Sequence, residues 1–299
     1  MRTHSMYLVS VVILLLLATN SPHADGHSRV SRFVTIDVPG ATGTTPKCVN
    51  NFGVIVGVYS DQSFINHGFL LNHGHFATID YPGAIFTNAV GINDFGQIVG
   101  RFDLDDGVDH GYVLKNGRFV QIDYPGSTST IARGIDNRGE ITGLYYDQDF
   151  HSHAFILSGG QFTAIDYPGS LGPDGFTAGS QLNNLGDIVG YWSTDGLNGG
   201  GFLYHDGQFT AQYYPGATFC GTRGINDFGV MVGQWTDDSG NDHGFLLLHN
   251  VYISVDVPGS TSTDPYAIND VGAMVGGYTD ANGVDHGFAA LVLTATNDH

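Results

Sequence analysis

The chain has 299 residues, enough to bury a large core, and its 41% hydrophobic and 13% charged residues with 44 glycines suit many short strands and tight turns. Long amphipathic helices have no obvious place to start. Twenty-nine acidic against ten basic residues give a formal net charge of −19, which speaks against a nucleic-acid partner and predicts a soluble, self-repelling monomer.

Residues 1–24 read as a secretory signal peptide, with Arg2 in a short polar start, an apolar run over 7–18, and small polar residues up to Ala24. The run is shorter than the roughly 20 residues of a spanning helix. The mature chain is therefore expected to be secreted or periplasmic, without a membrane span. Residues 25–31 are expected to form a disordered linker, 32–293 the folded unit, and 294–299 a tail.

From residue 33 the sequence is periodic. Asp-x-Pro-Gly recurs at Asp37, Asp80, Asp123, Asp166 and Asp256, with Tyr213 replacing the aspartate once, at intervals of 43, 43, 43, 47 and 43 residues. A period of about 40–50 residues with strand-like alternation points to propeller blades. The second unit predicts four strands over 88–93, 97–102, 110–114 and 118–123. The first two strands meet at turns such as Asn93-Asp94-Phe95-Gly96. The last two meet at two-residue turns of the I′ kind: His73-Gly74, Asn116-Gly117, Gly159-Gly160, Asp206-Gly207 and His249-Asn250.

A lone fourth strand at 33–37 precedes the first full unit, and the last unit lacks its fourth strand. Pairing the two orphans closes a ring of six blades and removes both exposed edges. The expected fold is an all-β, six-bladed β-propeller of four-stranded antiparallel blades, closed by the N-terminal strand.

Hairpin register places His67 opposite Asp80, His110 opposite Asp123, His153 opposite Asp166 and His243 opposite Asp256. Closure adds His286 with Asp37. In the fourth unit Gly200 and Tyr213 replace both partners together. These pairs are expected to be structural, because equivalent copies spread round a ring cannot converge on one substrate. The aromatics ending the second strands (Tyr59, Phe102, Tyr145, Trp192, Trp235 and Tyr278) are likewise expected to pack between blades. Cys48 and Cys220 fall in different units at different strand heights, so no disulfide is expected.

Gly-Ile-Asn-Asp-x-Gly-x-Ile-Val-Gly, then His-Gly-Phe, then Phe-x-x-Ile-Asp-x-Pro-Gly resembles the bacterial extracellular repeats of the HAF family, whose triplet stands at His153-Ala154-Phe155. The likeness runs over 32–293, and the departures lie in the fourth unit. It implies an exported repeat protein and carries over no catalytic residue.

Three residues before the turn Asn/Asp pair the six units carry Lys47, Val90, Arg133, Ser180, Arg223 and Tyr266. Three cations at one repeat position predict a ring that holds an anion at the channel, with arginine suited to carboxylate or phosphate. The alternative is that each cation neutralises a nearby aspartate. The long interval places four additional residues within the segment 169–176, with Asp174, beside the channel mouth, and Tyr213 is a second off-pattern candidate. Asp103, Asp105 and Asp109 have calcium-like oxygen density without EF-hand spacing, so calcium is the single cofactor considered and otherwise none is expected.

No Gly-x-Ser-x-Gly elbow or zinc spacing identifies a catalytic residue. The sequence therefore predicts a non-catalytic binding or scaffold propeller that presents loops and a central channel to an extracellular glycan, small anion or protein. The alternative is an extracellular propeller enzyme of hydrolase, lyase or lactonase type, with its site at the channel mouth near blade four.

Overall fold

A computed structural model describes residues 29–293 apart from Pro173, Leu197 and Asn198. The expected signal peptide and C-terminal tail lie outside the described residues. Six antiparallel sheets follow one another in chain order, and none of the described residues is helical. Blade two, for example, consists of Phe86–Ile92, Ile98–Asp103, His110–Lys115 and Arg118–Ile122.

Closure follows the predicted register. Val34, Thr35 and Ile36 pair with Ala289, Phe288 and Gly287 of the last strand, Asp285–Leu293. That strand is nine residues long and outruns this partner. Arg29–Val30 covers the remainder, pairing with Leu293 and Val292, so the folded unit begins at Arg29 and this end of the expected linker is strand.

The motif Ile-Val-Gly has a steric cause. A Cβ on Gly100 would lie 1.9 Å from the Asn88 carbonyl oxygen, and on Gly143 2.0 Å from that of Ile131. Glycine is the residue that lets the innermost strand come so close. The aromatic of the third strand covers the same spot: Phe69, Tyr112, Phe155, Phe202, Phe245 and Phe288 are fully buried, one per blade. Each such ring is worth ~1.5–3 kcal/mol of burial.

Four blade junctions are joined by stacking, since the tyrosine before Pro-Gly lies flat on the aromatic ending the next second strand. Tyr81–Phe102, Tyr124–Tyr145, Tyr167–Trp192 and Tyr214–Trp235 have centroids 3.6, 3.6, 3.8 and 4.1 Å apart. The five His–Asp pairs form as expected, at 3.0, 3.1, 3.1, 3.0 and 2.9 Å for His67, His110, His153, His243 and His286. Sequence reasoning missed the second carboxylate on each ring, from Asp61, Asp106, Asp147, Asp237 or Asp280 at 3.4–3.8 Å. All five outer I′ turns have positive φ at both central residues.

On the face that carries both kinds of tight turn, the second residue of each Asn/Asp pair links to the next blade. The amides of Asn51, Asp94, Asn137, Asn184, Asp227 and Asp270 each donate to the side-chain oxygen of the following member, at 2.7–2.9 Å. The last returns to Asn51, so the circle is complete.

Candidate functional site

The six positions picked out by the repeat share one backbone feature. Pairing of each innermost strand with its neighbour skips Lys47, Val90, Arg133, Ser180, Arg223 or Tyr266. Each is the extra residue of a β-bulge, a device that re-aims a side chain. All six line one central cavity of about 250 Å3. The bulges need close neighbours: a Cβ on Gly91 would lie 2.5 Å from the Arg133 carbonyl oxygen, and on Gly224 2.7 Å from that of Tyr266.

Gln181 stands where most blades have glycine or another small residue, and its side chain crosses the channel. The Cys48 thiol donates to its Oε1 at 3.5 Å and its Nε2 donates to the Lys47 carbonyl at 3.4 Å. Blade four thereby reaches blade one, and Gln181 separates the cationic chamber from a narrower space of about 60 Å3 inside the Asn/Asp circle. Approach to the chamber is from the opposite face, where the Pro-Gly links lie. Cys48 and Cys220 are both buried and free, as expected.

The cations are not neutralised one by one. Arg223 lies 3.6 Å from Asp264 and donates to Gln234 at 3.0 Å, while its Nε is buried without a partner. Arg133 donates to the Tyr191 hydroxyl at 3.0 Å, and the Lys47 ammonium sits 3.4 Å from the Tyr266 ring centroid. Among the described residues no carboxylate lies within ion-pair distance of Lys47 or Arg133. The Ser180 hydroxyl also faces this chamber, is buried, and has no partner.

Four of the chain's ten basic residues surround this space, for Arg101 joins the ring from the second strand of blade two, paired with Asp109 at 2.8 Å. Burial pulls the Lys47 ammonium down to about 7, aided by Arg223, Arg133 and Arg101 and opposed by Asp264. The Arg133 guanidinium, against the effect of burial, brings the Tyr191 phenol down to about 8. Burial also works against the Arg223 charge, but Asp264, Tyr266 and Tyr191 outweigh it and the guanidinium stays charged. The arrangement concentrates positive charge around a buried space in an acidic protein, where low dielectric strengthens each charge contact.

Asp174 lines a second cavity of about 340 Å3 between blades three and four, which shares Arg133 with the chamber. Tyr213 lies apart from both. A Cβ on Gly200 would be 2.7 Å from its ring, so Tyr213 fills the histidine slot of blade four and is not gathered with the other candidates. Asp103 Oδ1 accepts from the backbone amides of Asp105 and Asp106, and the Asp109 carboxylate pairs with Arg101 of the neighbouring strand. The described residues do bring Asp147, Asp149 and His151 close enough to share an ion.

Arg101, Tyr191 and Gln234 each directly follow the glycine of the Ile-Val-Gly motif, and that offset is the signal that would have found them. No family model and no curated protein matches the chain. Among solved structures it is similar to AofleA from Arthrobotrys oligospora, at 12% identity over 89% of this chain and 91% of that one, with a TM-score of 0.56. A mutant of Aleuria aurantia lectin in complex with Fucalpha1-6GlcNAc gives 10% identity, 86% and 97% coverage, and 0.51. TolB from Acinetobacter baumannii gives 10%, 86% and 66%, and 0.53. At these identities the shared property is the fold, and the chain is a six-bladed β-propeller of antiparallel four-stranded blades.

Proposed function

We propose that the mature chain works outside the cytoplasmic membrane as a HAF-type, non-catalytic binding propeller, and that its central chamber takes an anionic ligand. The observation that carries this reading is the convergence of Lys47, Arg133 and Arg223 on one cavity, with Asp264 the single carboxylate paired to any of the three among the described residues. Propellers of the same fold include a lectin solved with a fucosylated sugar, which supports a glycan-derived ligand over a protein. The test is calorimetry of the mature protein against sulfate, citrate and galacturonate at low salt. Binding of at least one of them, weakened about tenfold or more by Lys47→Gln with Arg133→Gln, is expected. A wild type that binds none of the three at millimolar concentration defeats the reading.

One observation favours the enzyme alternative. The Tyr191 phenol, carried on the second strand of blade four and brought down by Arg133, has the form of an acid–base group next to a carboxylate-binding cation. Incubation with polyuronates and a search for unsaturated ends tests it, with Tyr191→Phe as the control.

A further inference from the structure

One residue of the chamber wall also belongs to a second cavity. Arg133 lines the chamber and also lines the cavity between blades three and four. Its Nη1 is held by the Tyr191 hydroxyl, and the Tyr191 ring is a wall of the second cavity. Phe176 meets that ring edge-on at 5.9 Å, and Tyr146 and Phe150 complete an aromatic lining.

Phe150 is 75% exposed and has φ +65°, a left-handed conformation costly for a bulky residue. The turn enforces it: Asp147 Oδ1 accepts from the amides of Asp149 and His151, and the Phe150 amide donates to the Asp147 carbonyl at 3.2 Å. The ring is thus held out beside the opening. Across from it the residues inserted only in blade four supply Asp174. Their path is tight, since a Cβ on Gly175 would lie 2.2 Å from the Ser170 carbonyl oxygen. Besides Arg133 and the two tyrosine hydroxyls, His151, Ser152 and Asp174 bring polar groups to the lining.

An apolar wall with a few hydroxyl-bonding groups, joined through an arginine to a cationic chamber, matches a ligand with one charged unit and one neutral, hydroxylated, flat-faced unit. We propose that the two cavities form one site for a uronic-acid-containing saccharide. Its carboxylate lies on Lys47, Arg133 and Arg223, and the next sugar ring packs on Phe150, Tyr146 and Phe176 with hydroxyls to Asp174 and His151. This rests on the anion-chamber reading and names its ligand class.

The experiment is calorimetry of the mature protein with galacturonate, digalacturonate and lactose. Digalacturonate is expected to bind about tenfold tighter than galacturonate, and lactose not measurably. In Phe150→Asn with Asp174→Ala, both exposed sites where folding is checked by an unshifted melt, that ratio is expected to fall to about one. Equal affinities of mono- and disaccharide in the wild type, or a ratio that survives in the variant, overturn the proposal. Binding of sulfate or citrate without either uronate also overturns it while leaving the anion chamber intact. Failure of every anion removes both.

Discussion

Lys47 offers a direct measurement of what the channel is for. Its ammonium titrates at about 7 in the free protein because burial and three arginines outweigh Asp264. A carboxylate about 4 Å away, at an effective dielectric near 20, stabilises that charge by ~4 kcal/mol, or about three pKa units. Anion binding then takes up a proton above pH 7, so the dissociation constant should be flat below that value and rise about tenfold between pH 6 and 8. Lys47→Arg keeps its charge throughout and should abolish the slope with tight binding. Lys47→Met should abolish it with weak binding. Calorimetry with galacturonate or citrate at pH 6, 7 and 8, with Tyr191→Phe as the background for the nearby phenol, reads the effect. An affinity constant over that window, or a slope retained by Lys47→Arg, would refute the reasoning. Without ligand the sign reverses. The folded pKa lies below the unfolded value near 10.4, so the unfolded chain holds more protons above pH 7 and the wild type should gain stability relative to Lys47→Met as pH rises.

Three further outcomes test the scaffold. Gly200→His alone drives a side chain into the Tyr213 ring and should cost ~1–3 kcal/mol in urea unfolding, whereas adding Tyr213→Asp should restore a His–Asp pair and recover most of the loss. His243→Ala should cost ~1–2 kcal/mol at pH 6. Burial lowers the pKa of this imidazole, but the bonds to Asp256 and Asp237 raise it further, so its stabilisation is complete below about 6.5 and fades as pH passes the raised value. The gap between variant and wild type should therefore narrow by pH 9. Gly143→Ala places a methyl 2.0 Å from the Ile131 carbonyl oxygen and should cost ~3 kcal/mol. Gly117→Ala, at φ +72° with open space around it, should cost only the ~1–2 kcal/mol of left-handed backbone.

The architecture was readable because each unit repeats its turn chemistry. The spacing from His286 to the missing aspartate led directly to Asp37, and the same arithmetic gave all five clamps. The channel position was readable for a related reason. Lys47, Arg133 and Arg223 occupy one register, and composition made three cations there conspicuous. What the repeat could not convey is whatever differs between blades. Asp264 occurs once at a position that other blades fill with unrelated residues, so periodicity averages it away, whereas Arg101 and Tyr191 share the position after the motif glycine, which Val58, Leu144 and Gly277 fill elsewhere. Gln181 did leave a trace, as a large amide where Gly91, Gly134 and Gly224 stand. Tyr213 stood out as a missing aspartate, and the structure packs its ring in the space left by Gly200.

The circle of amide-to-side-chain bonds that returns from Asp270 to Asn51 treats every blade junction alike, including the one where the chain ends are sewn together. Covalent continuity is therefore not what makes any junction special. A circular permutant, joined through a short linker from residue 293 to residue 29 and opened at the Asp206-Gly207 hairpin, should assemble the same disc. The order in which blades leave the ribosome would change, and the finished chamber would not.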